Sequence, residues 1–371
     1  MKKFFLLGII LILTVNILPA QMTVSGILDS TVSMSIGSNS TPGYSFGLEE
    51  YANIRFQSRM REKGTVHGAV NLIAGSGSYA AGLATQGGFA FGNNFAAAIE
   101  LERLYFRIRG DHIDFDGGLF RLPFGYSQVW GSSDFLNPRN PLTPNARPRA
   151  ILGASVVWYP IDELKMLAFY SAPRNIISVN TFNIESKGSF IGLSLDRHFN
   201  KSSIQGLYAF ETPSSGSKYG VHRVGLSIKA DIEIGIIIDA LYTYNHQAST
   251  RLEGLSLSLG ADYSFFSGKL MVLAEYLYNG EASSTVFDLN ENPMGLFNRH
   301  NLYTGFTLLI DDFTNMNFAV ISSINNTSII PVATLNRDLF QGAVLTASIQ
   351  ALFIDNTYNG VNCTARIRLR F

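Results

Sequence analysis

From Met22 to the end of the chain, apolar and polar residues alternate one by one in segments of 9–13 residues. In "LSLSLGADYSF", Leu255, Leu257, Leu259, Ala261, Tyr263 and Phe265 oppose Ser256, Ser258, Gly260, Asp262 and Ser264. A period of two is a strand with two different faces. A tilted membrane strand needs about 9–11 residues, whereas strands of soluble domains are nearer about 5–6. Charged residues make up only 15% of the chain, against about 25% in soluble domains, so a water-facing sandwich core fits poorly. Beyond the first residues there is no apolar run of the roughly 20 residues that a membrane helix needs. If the chain spans a membrane it does so with strands, and strands cross only as a closed barrel.

The alternation predicts eighteen strands, near 22–36, 47–60, 64–74, 97–109, 112–120, 149–159, 163–173, 188–197, 202–211, 219–231, 232–245, 254–265, 269–279, 300–310, 314–323, 327–337, 340–354 and 361–371. Sixteen stays open, because the segments after Asp311 are weakly separated. The links after even-numbered strands are short: "REKG", "GD", "PIDE", "HFNK", "FSG" and "DDFT". Most links after odd-numbered strands are longer, as at 75–96, 121–148, 174–187 and 280–299. Short turns on one rim and long loops on the other put both termini on the short-turn side. Aromatic residues fall at both ends, Tyr242, Tyr244, Tyr276 and Tyr278 at one and Tyr263 and Phe265 at the other, as interfacial girdles would. In "IEIGIIIDALYTY" two residues break the polar face, Ile237 and Leu241.

The two ends agree with this. "MKK", then "FFLLGIILILTVNIL", then "LPAQ" reads as a signal peptide over residues 1–20, leaving an outer-membrane β-barrel over 21–371. The only cysteine is Cys363, so no disulfide staples the chain. The closing "ARIRLRF" sets Ala365, Ile367, Leu369 and Phe371 on one face and Arg366, Arg368 and Arg370 on the other. This ending resembles the C-terminal signature of bacterial outer-membrane β-barrel proteins. The resemblance implies that Phe371 is an assembly signal read by the barrel assembly machinery and that the three arginines face the lumen.

The longest link is "RLPFGYSQVWGSSDFLNPRNPLTPNARPRA", which follows the fifth strand. That makes it the third loop of the long-loop rim. Its position resembles the constriction loop of general porins, which folds into the lumen. "GGLFRLPFGYS" also resembles the strand-to-loop transition of the phosphate-selective porin family. Phosphate selectivity is not carried over, because the lumenal charges predicted here are of both signs. No plug precedes the first strand, and a barrel of 16–18 strands without one leaves an aqueous channel.

Parity supplies the charges that line it. Arg107 and Arg109 point inward, as do Asp114 and Asp116 across the "GD" turn. These four either brace the rim as ion pairs or shape the field of the pore. Arg121, Asp134, Arg139, Arg147 and Arg149 accompany the long loop, while Arg223, Lys229, Glu233, Asp239, Asp262 and Glu275 lie on other inward faces. Interspersed signs predict weak charge selectivity. The six histidines have no metal spacing, and His222 has lipid-facing parity. "DLNENP" lacks the Gly and Glu of a calcium loop. "GSGSYAAG" precedes no predicted helix, so it is not read as a phosphate cradle. No catalytic residue, metal or cofactor is assigned.

The expectation is an all-β transmembrane antiparallel barrel in the outer membrane of a diderm bacterium, passing small hydrophilic solutes. Its partners are outer-membrane lipid and the assembly machinery, with a homotrimer as one compatible assembly. Lys+Arg and Asp+Glu balance at 28 each, so no nucleic acid is implied. The rival readings are a surface adhesin or structural barrel with ligand-binding outer loops, and a hydrophobic-substrate transporter. The latter needs an N-terminal hatch and an apolar lumen.

Overall fold

The computed structural model describes residues 22–37, 43–60, 63–85, 88–92, 94–137, 150–173, 188–213, 218–245, 252–280, 299–325, 328–354 and 357–371. In chain order its elements are β1 (Met22–Gly37), β2 (Tyr44–Met60), β3 (Gly64–Gly77), α1 (Ser78–Thr85), β4 (Phe89–Phe91), β5 (Phe95–Arg109), β6 (Ile113–Phe120), β7 (Ile151–Ile161), β8 (Leu164–Ser171) and β9 (Phe190–Phe199). Then follow β10 (Ser202–Glu211), β11 (Val221–Asp231), β12 (Gly235–Tyr244), β13 (Leu255–Phe265), β14 (Leu270–Asn279), β15 (His300–Asp311), β16 (Thr314–Ser323), β17 (Ser328–Phe340), β18 (Ala343–Ile354) and β19 (Thr357–Arg370).

Apart from the short β4, each strand pairs antiparallel with the next strand of the ring, and β19 returns to pair with β1 from Ile27↔Arg370 to Gly37↔Gly360. The short β4 hangs on β5 alone, while β3 pairs with β5 directly, so eighteen strands form the closed ring. Sixteen is set aside, because β16 to β19 are four separate strands with their own registers. Closure leaves no edge with unpaired N–H and C=O groups, which hydrocarbon cannot satisfy.

The alternation in sequence becomes two faces of one wall. Leu193, Leu195, Tyr208, Val224, Leu226, Ile236 and Leu259 are exposed on the outer face. Their neighbours Ser194, Asp196, Gln205, Ser227, Asp239, Ser258 and Glu275 are buried on the inner one. The C-terminus is locked into the ring: Gly26 N donates to Phe371 O at 2.8 Å, and Phe371 N donates to Gly26 O at 3.2 Å. The Phe371 ring lies over Gly26, where an added Cβ would clash with it. A glycine is needed there so that the terminal aromatic can cover the wall.

Two expectations are corrected. β12 begins at Gly235, so Glu233 stands in the preceding turn instead of on an inward strand face. The glycine-rich stretch near 75–77 runs straight into helix α1, which the sequence reading did not contain. Ala80 and Leu83 of α1 pack against Ala96 and Ala98 of β5. A Cβ at Gly75 would come within 2.9 Å of Leu83 and 3.0 Å of Tyr79. These glycines make room for a helix on the wall.

Candidate functional site: a loop anchored to the inner wall

β6 ends at Phe120, and the chain then turns inward. Leu122 N donates to Asn137 Oδ1 at 2.9 Å, and Asn137 N donates to Asp134 Oδ1 at 3.1 Å, which draws the two arms of the loop together. Between them the loop meets the wall in two layers, one apolar and one acidic.

The apolar layer comes first. Phe124 and Leu136 are buried with Ile151, Leu167, Phe169, Phe190, Leu207 and Leu241, with Phe135 packed against the cluster. The Phe124 and Phe135 rings stack at 5.9 Å, and each meets a wall phenylalanine, Phe169 at 5.2 Å and Phe190 at 5.4 Å. The Arg223 guanidinium lies over Phe135 at 5.3 Å and is paired with Glu211 at 2.7 Å. At the loop's tip Trp130 is 1% exposed, set among Leu277, Ile321 and Ile330. Leu241 and Ile237, which break the polar pattern of β12, are 6% and 1% exposed on this inner face.

The acidic layer anchors the backbone. Asp239 of β12 accepts from Tyr126 N at 3.0 Å and Ser127 N at 2.8 Å. Glu275 of β14 accepts from Gln128 N at 3.0 Å, Trp130 N at 3.1 Å, Ser258 Oγ at 2.8 Å and the Ser127 hydroxyl. The Trp130 ring N–H donates to the Glu275 carbonyl at 3.0 Å. Gln128 reaches Asp262 at 2.9 Å, Gly125 N donates to Gln205 at 2.8 Å, and the Tyr126 hydroxyl donates to Asp196 at 2.7 Å. Burial, together with that carboxylate, pushes the Tyr126 phenol far above its usual range, so it stays a neutral donor. Gly125 has φ +82°, and a Cβ there would clash with Asp239 Oδ2. Only glycine permits both the left-handed turn and the close approach. Buried carboxylates need this density of donors, because hydrogen bonds to a charged acceptor offset its desolvation.

The opposite wall uses its acids differently. Arg107 clasps Asp116 through two bonds of 2.6 and 2.7 Å, and Arg109 lies 3.7 Å from Asp114. Arg368 clasps Asp29 at 2.7 and 2.6 Å across the closing seam. Glu102 draws Arg103 at 3.1 Å, Arg121 at 3.0 Å and Asn53 at 2.7 Å. Asn53 and Tyr51 both donate to Asn71 at 2.7 Å. A third sector, β15 to β18, carries an uncharged ladder instead: Thr307 to Asn317 at 2.6 Å, Asn336 to Asn315 at 3.0 Å and Thr346 to Asn336 at 2.8 Å.

Among the sequence candidates, Arg107, Arg109, Asp114, Asp116, Arg366 and Arg368 stand on the inward face, and Arg370 is exposed at the end of its strand. Asp134 is 3% exposed and turns into the loop itself, so it does not face open lumen. Arg139, Arg147 and Arg149 lie outside the described residues, as does the "DLNENP" segment. His222 keeps its outward parity, and its ring nitrogen lies 2.9 Å from the Tyr208 hydroxyl. Sequence reasoning placed Asp239 and Glu275 inward but missed their role as anchors. The signal was present in Ile237 and Leu241, apolar residues on a face meant for water. It also missed Glu102, Asn53, Asn71 and Asp29.

No protein-family model matches the chain, and no curated protein matches it. Solved structures do match along nearly its whole length. OccAB4 of Acinetobacter baumannii superposes with a TM-score of 0.60 at 11% identity, over 95% of this chain and 99% of that one. OpdK of Pseudomonas aeruginosa, an outer-membrane protein, gives 0.58 at 8% identity over 95% and 98%. A BenF-like porin from Pseudomonas fluorescens gives 0.57 at 9% identity over 95% and 99%. The chain therefore has the fold of the outer-membrane β-barrel porins.

Proposed function

We propose that the protein is an outer-membrane porin, a passive channel for small hydrophilic solutes with weak charge selectivity. The observation that carries the reading is the loop anchored by Asp239 and Glu275 inside a barrel whose remaining inner wall is polar. A loop held there narrows the lumen, so we read 121–148 as shaping the entrance, with 138–148 lying outside the described residues. Weak selectivity is supported by the pairing of inward charges, since a clasped Arg–Asp pair has little net field at a distance. Similarity to an outer-membrane protein, OpdK, and to a BenF-like porin supports the location. In this reading residues 1–20 are removed on export, Phe371 is read by the assembly machinery, and the long loops face outward. The polar ladders of the inner wall do not suit a hydrophobic-substrate transporter.

The test is reconstitution in planar bilayers. Purified barrel is expected to give discrete conductance steps, with a reversal potential near zero under a salt gradient. A variant lacking 125–136 is expected to conduct at least about twice as much. A barrel that inserts and stays closed would support a structural or adhesive role instead.

A further inference from the structure

The outer face carries a carboxylate at a depth that hydrocarbon does not favour. Glu50 of β2 has the same parity as the exposed Phe46, Leu48 and Ile54, so its carboxyl points away from the lumen. Its register partners are Ser30 on β1 and Ala74 on β3, both on the outer face. On the two neighbouring strands it is framed by the exposed Leu28 and Val32 and by Leu72. Phe46 and Phe56 bracket it on its own strand. Ten residues of strand tilted by about 40° span about 25 Å, the height of a barrel's apolar band. Glu50 sits four residues inside Phe46, so by the same rise it lies about 10 Å within that band.

Among the described residues it is the one outward carboxylate between the aromatic girdles. An ionisable group at such depth is costly unless it is paired. Among the described residues it has one partner: Ser30 Oγ donates to Oε1 at 2.5 Å. The second oxygen has no partner among the described residues.

The outward arginines do not reach it. Arg197 lies over the Phe199 ring at 5.0 Å, at the short-turn end of β9. Arg337 pairs with Thr314, beside the 312–313 turn on the same rim. Copies of one barrel sit in a membrane at the same depth and in the same orientation. Rotation about the membrane normal therefore never brings a short-turn-rim arginine level with Glu50. What it does bring level with Glu50 is a second Glu50.

We propose that this face, centred on Glu50 and Ser30, is the contact between two copies of the chain across a two-fold axis along the membrane normal. The proposal rests on the reading that the barrel spans a membrane. At that axis the two carboxyls lie against one another and share a proton, each still held by its own Ser30. Each free oxygen thereby gains a partner beyond those that the described residues of one chain supply. Ala52 and Ala74 beside Glu50 are small, which lets the two walls approach closely, as contacts within membranes require. The interface is isologous, so it closes at two copies.

The test is oxidative cross-linking in native membranes of Ala52→Cys in a Cys363→Ala background. A disulfide-linked species of twice the monomer mass is expected. Val224→Cys, on the outer face of a distant strand, is expected to give none. Adding Glu50→Leu to the Ala52→Cys variant is expected to reduce the cross-linked product at least ten-fold. Glu50→Gln is expected to retain it, because two amides pair without a shared proton. Heat-modifiable migration and bilayer conductance, followed in parallel, report whether each variant still forms a membrane-spanning barrel. The proposal is overturned if folded Ala52→Cys stays monomeric, if it links to a different protein, or if the Glu50→Leu variant links as well as its parent.

Discussion

Two sectors of the same inner wall use the same residue type for opposite ends. On β12 and β14, Asp239 and Glu275 accept backbone N–H groups from a loop that arrives from β6. On β1, β5 and β6, Asp29, Glu102 and Asp116 accept from arginines of the wall itself. The first sector is covered, with buried apolar Ile237, Leu241 and Leu277 flanking its acids on their own strands. The second carries guanidinium groups still partly open to the lumen, with the Arg107 side chain 30% exposed and that of Arg368 23%. Inward parity is thus only half of a lumenal residue's description. The other half is whether its neighbours are apolar, because an apolar inner wall must be covered and its acids then serve as anchors.

The largest expected effect comes from removing an anchor where the wall is covered. Glu275→Ala leaves the loop's N–H groups and two serine hydroxyls without their acceptor, and each buried unsatisfied group costs about 1–3 kcal/mol. Chymotrypsin is expected to cut within 124–130 in this variant at least ten-fold faster than in the wild type. Equal protection would show that the apolar layer holds the loop by itself. Next is the apolar layer: Trp130→Ala opens a cavity at the tip, with a loss of about 3–5 kcal/mol. Its expected signature is noisier open-channel current with a modest rise in mean conductance. A quiet trace would mean that Trp130 is not what seats the tip.

Changes on the uncovered sector are expected to move selectivity more than conductance. Arg368→Met breaks the seam pair and leaves Asp29 without its guanidinium, so the reversal potential is expected to shift toward cations. The heat-modification temperature should also fall, since breaking a half-buried pair costs up to about 3 kcal/mol. A lower temperature with no change in selectivity would make Arg368 purely a seam residue. The smallest effect belongs to the uncharged ladder of β15 to β18. Asn317→Asp adds one carboxylate there and is expected to shift selectivity slightly toward cations. That shift should fade between 0.1 M and 1 M salt as the screening length drops from about 10 Å to about 3 Å. A shift as large at 1 M salt would mean that residue 317 contacts the permeating ion directly.

The ring itself was legible in the sequence because a period of two is local: each of the eighteen predicted spans overlaps a ring strand. The turn signals "GD" and "FSG" sit where short connections fall. What lies inside the ring was less legible. Helix α1 was missed because "GSGSYAAG" has poor intrinsic helix propensity, and the helix forms by packing on Ala96 and Ala98. Asp239 and Glu275 were assigned to the correct face, but their partners lie more than a hundred residues away in an irregular loop. No pattern in the chain sets that pairing. Ile237 and Leu241 hinted at a covered wall without naming the cover. Glu50 stands on the outer face in the structure, and the sequence reading gave it no place, one acid among many apolar neighbours.

The central claim is that two wall acids hold a loop that narrows the lumen. Single-channel conductance of the double variant Asp239→Asn, Glu275→Gln against the wild type tests it most directly. Both side chains keep their size, so the ring is unaffected while the charge that gathers the loop's N–H groups is gone. The expected result is a conductance at least about twice that of the wild type, approaching that of the variant lacking 125–136. Conductance equal to the wild type, from a barrel that still migrates as folded, would contradict the claim.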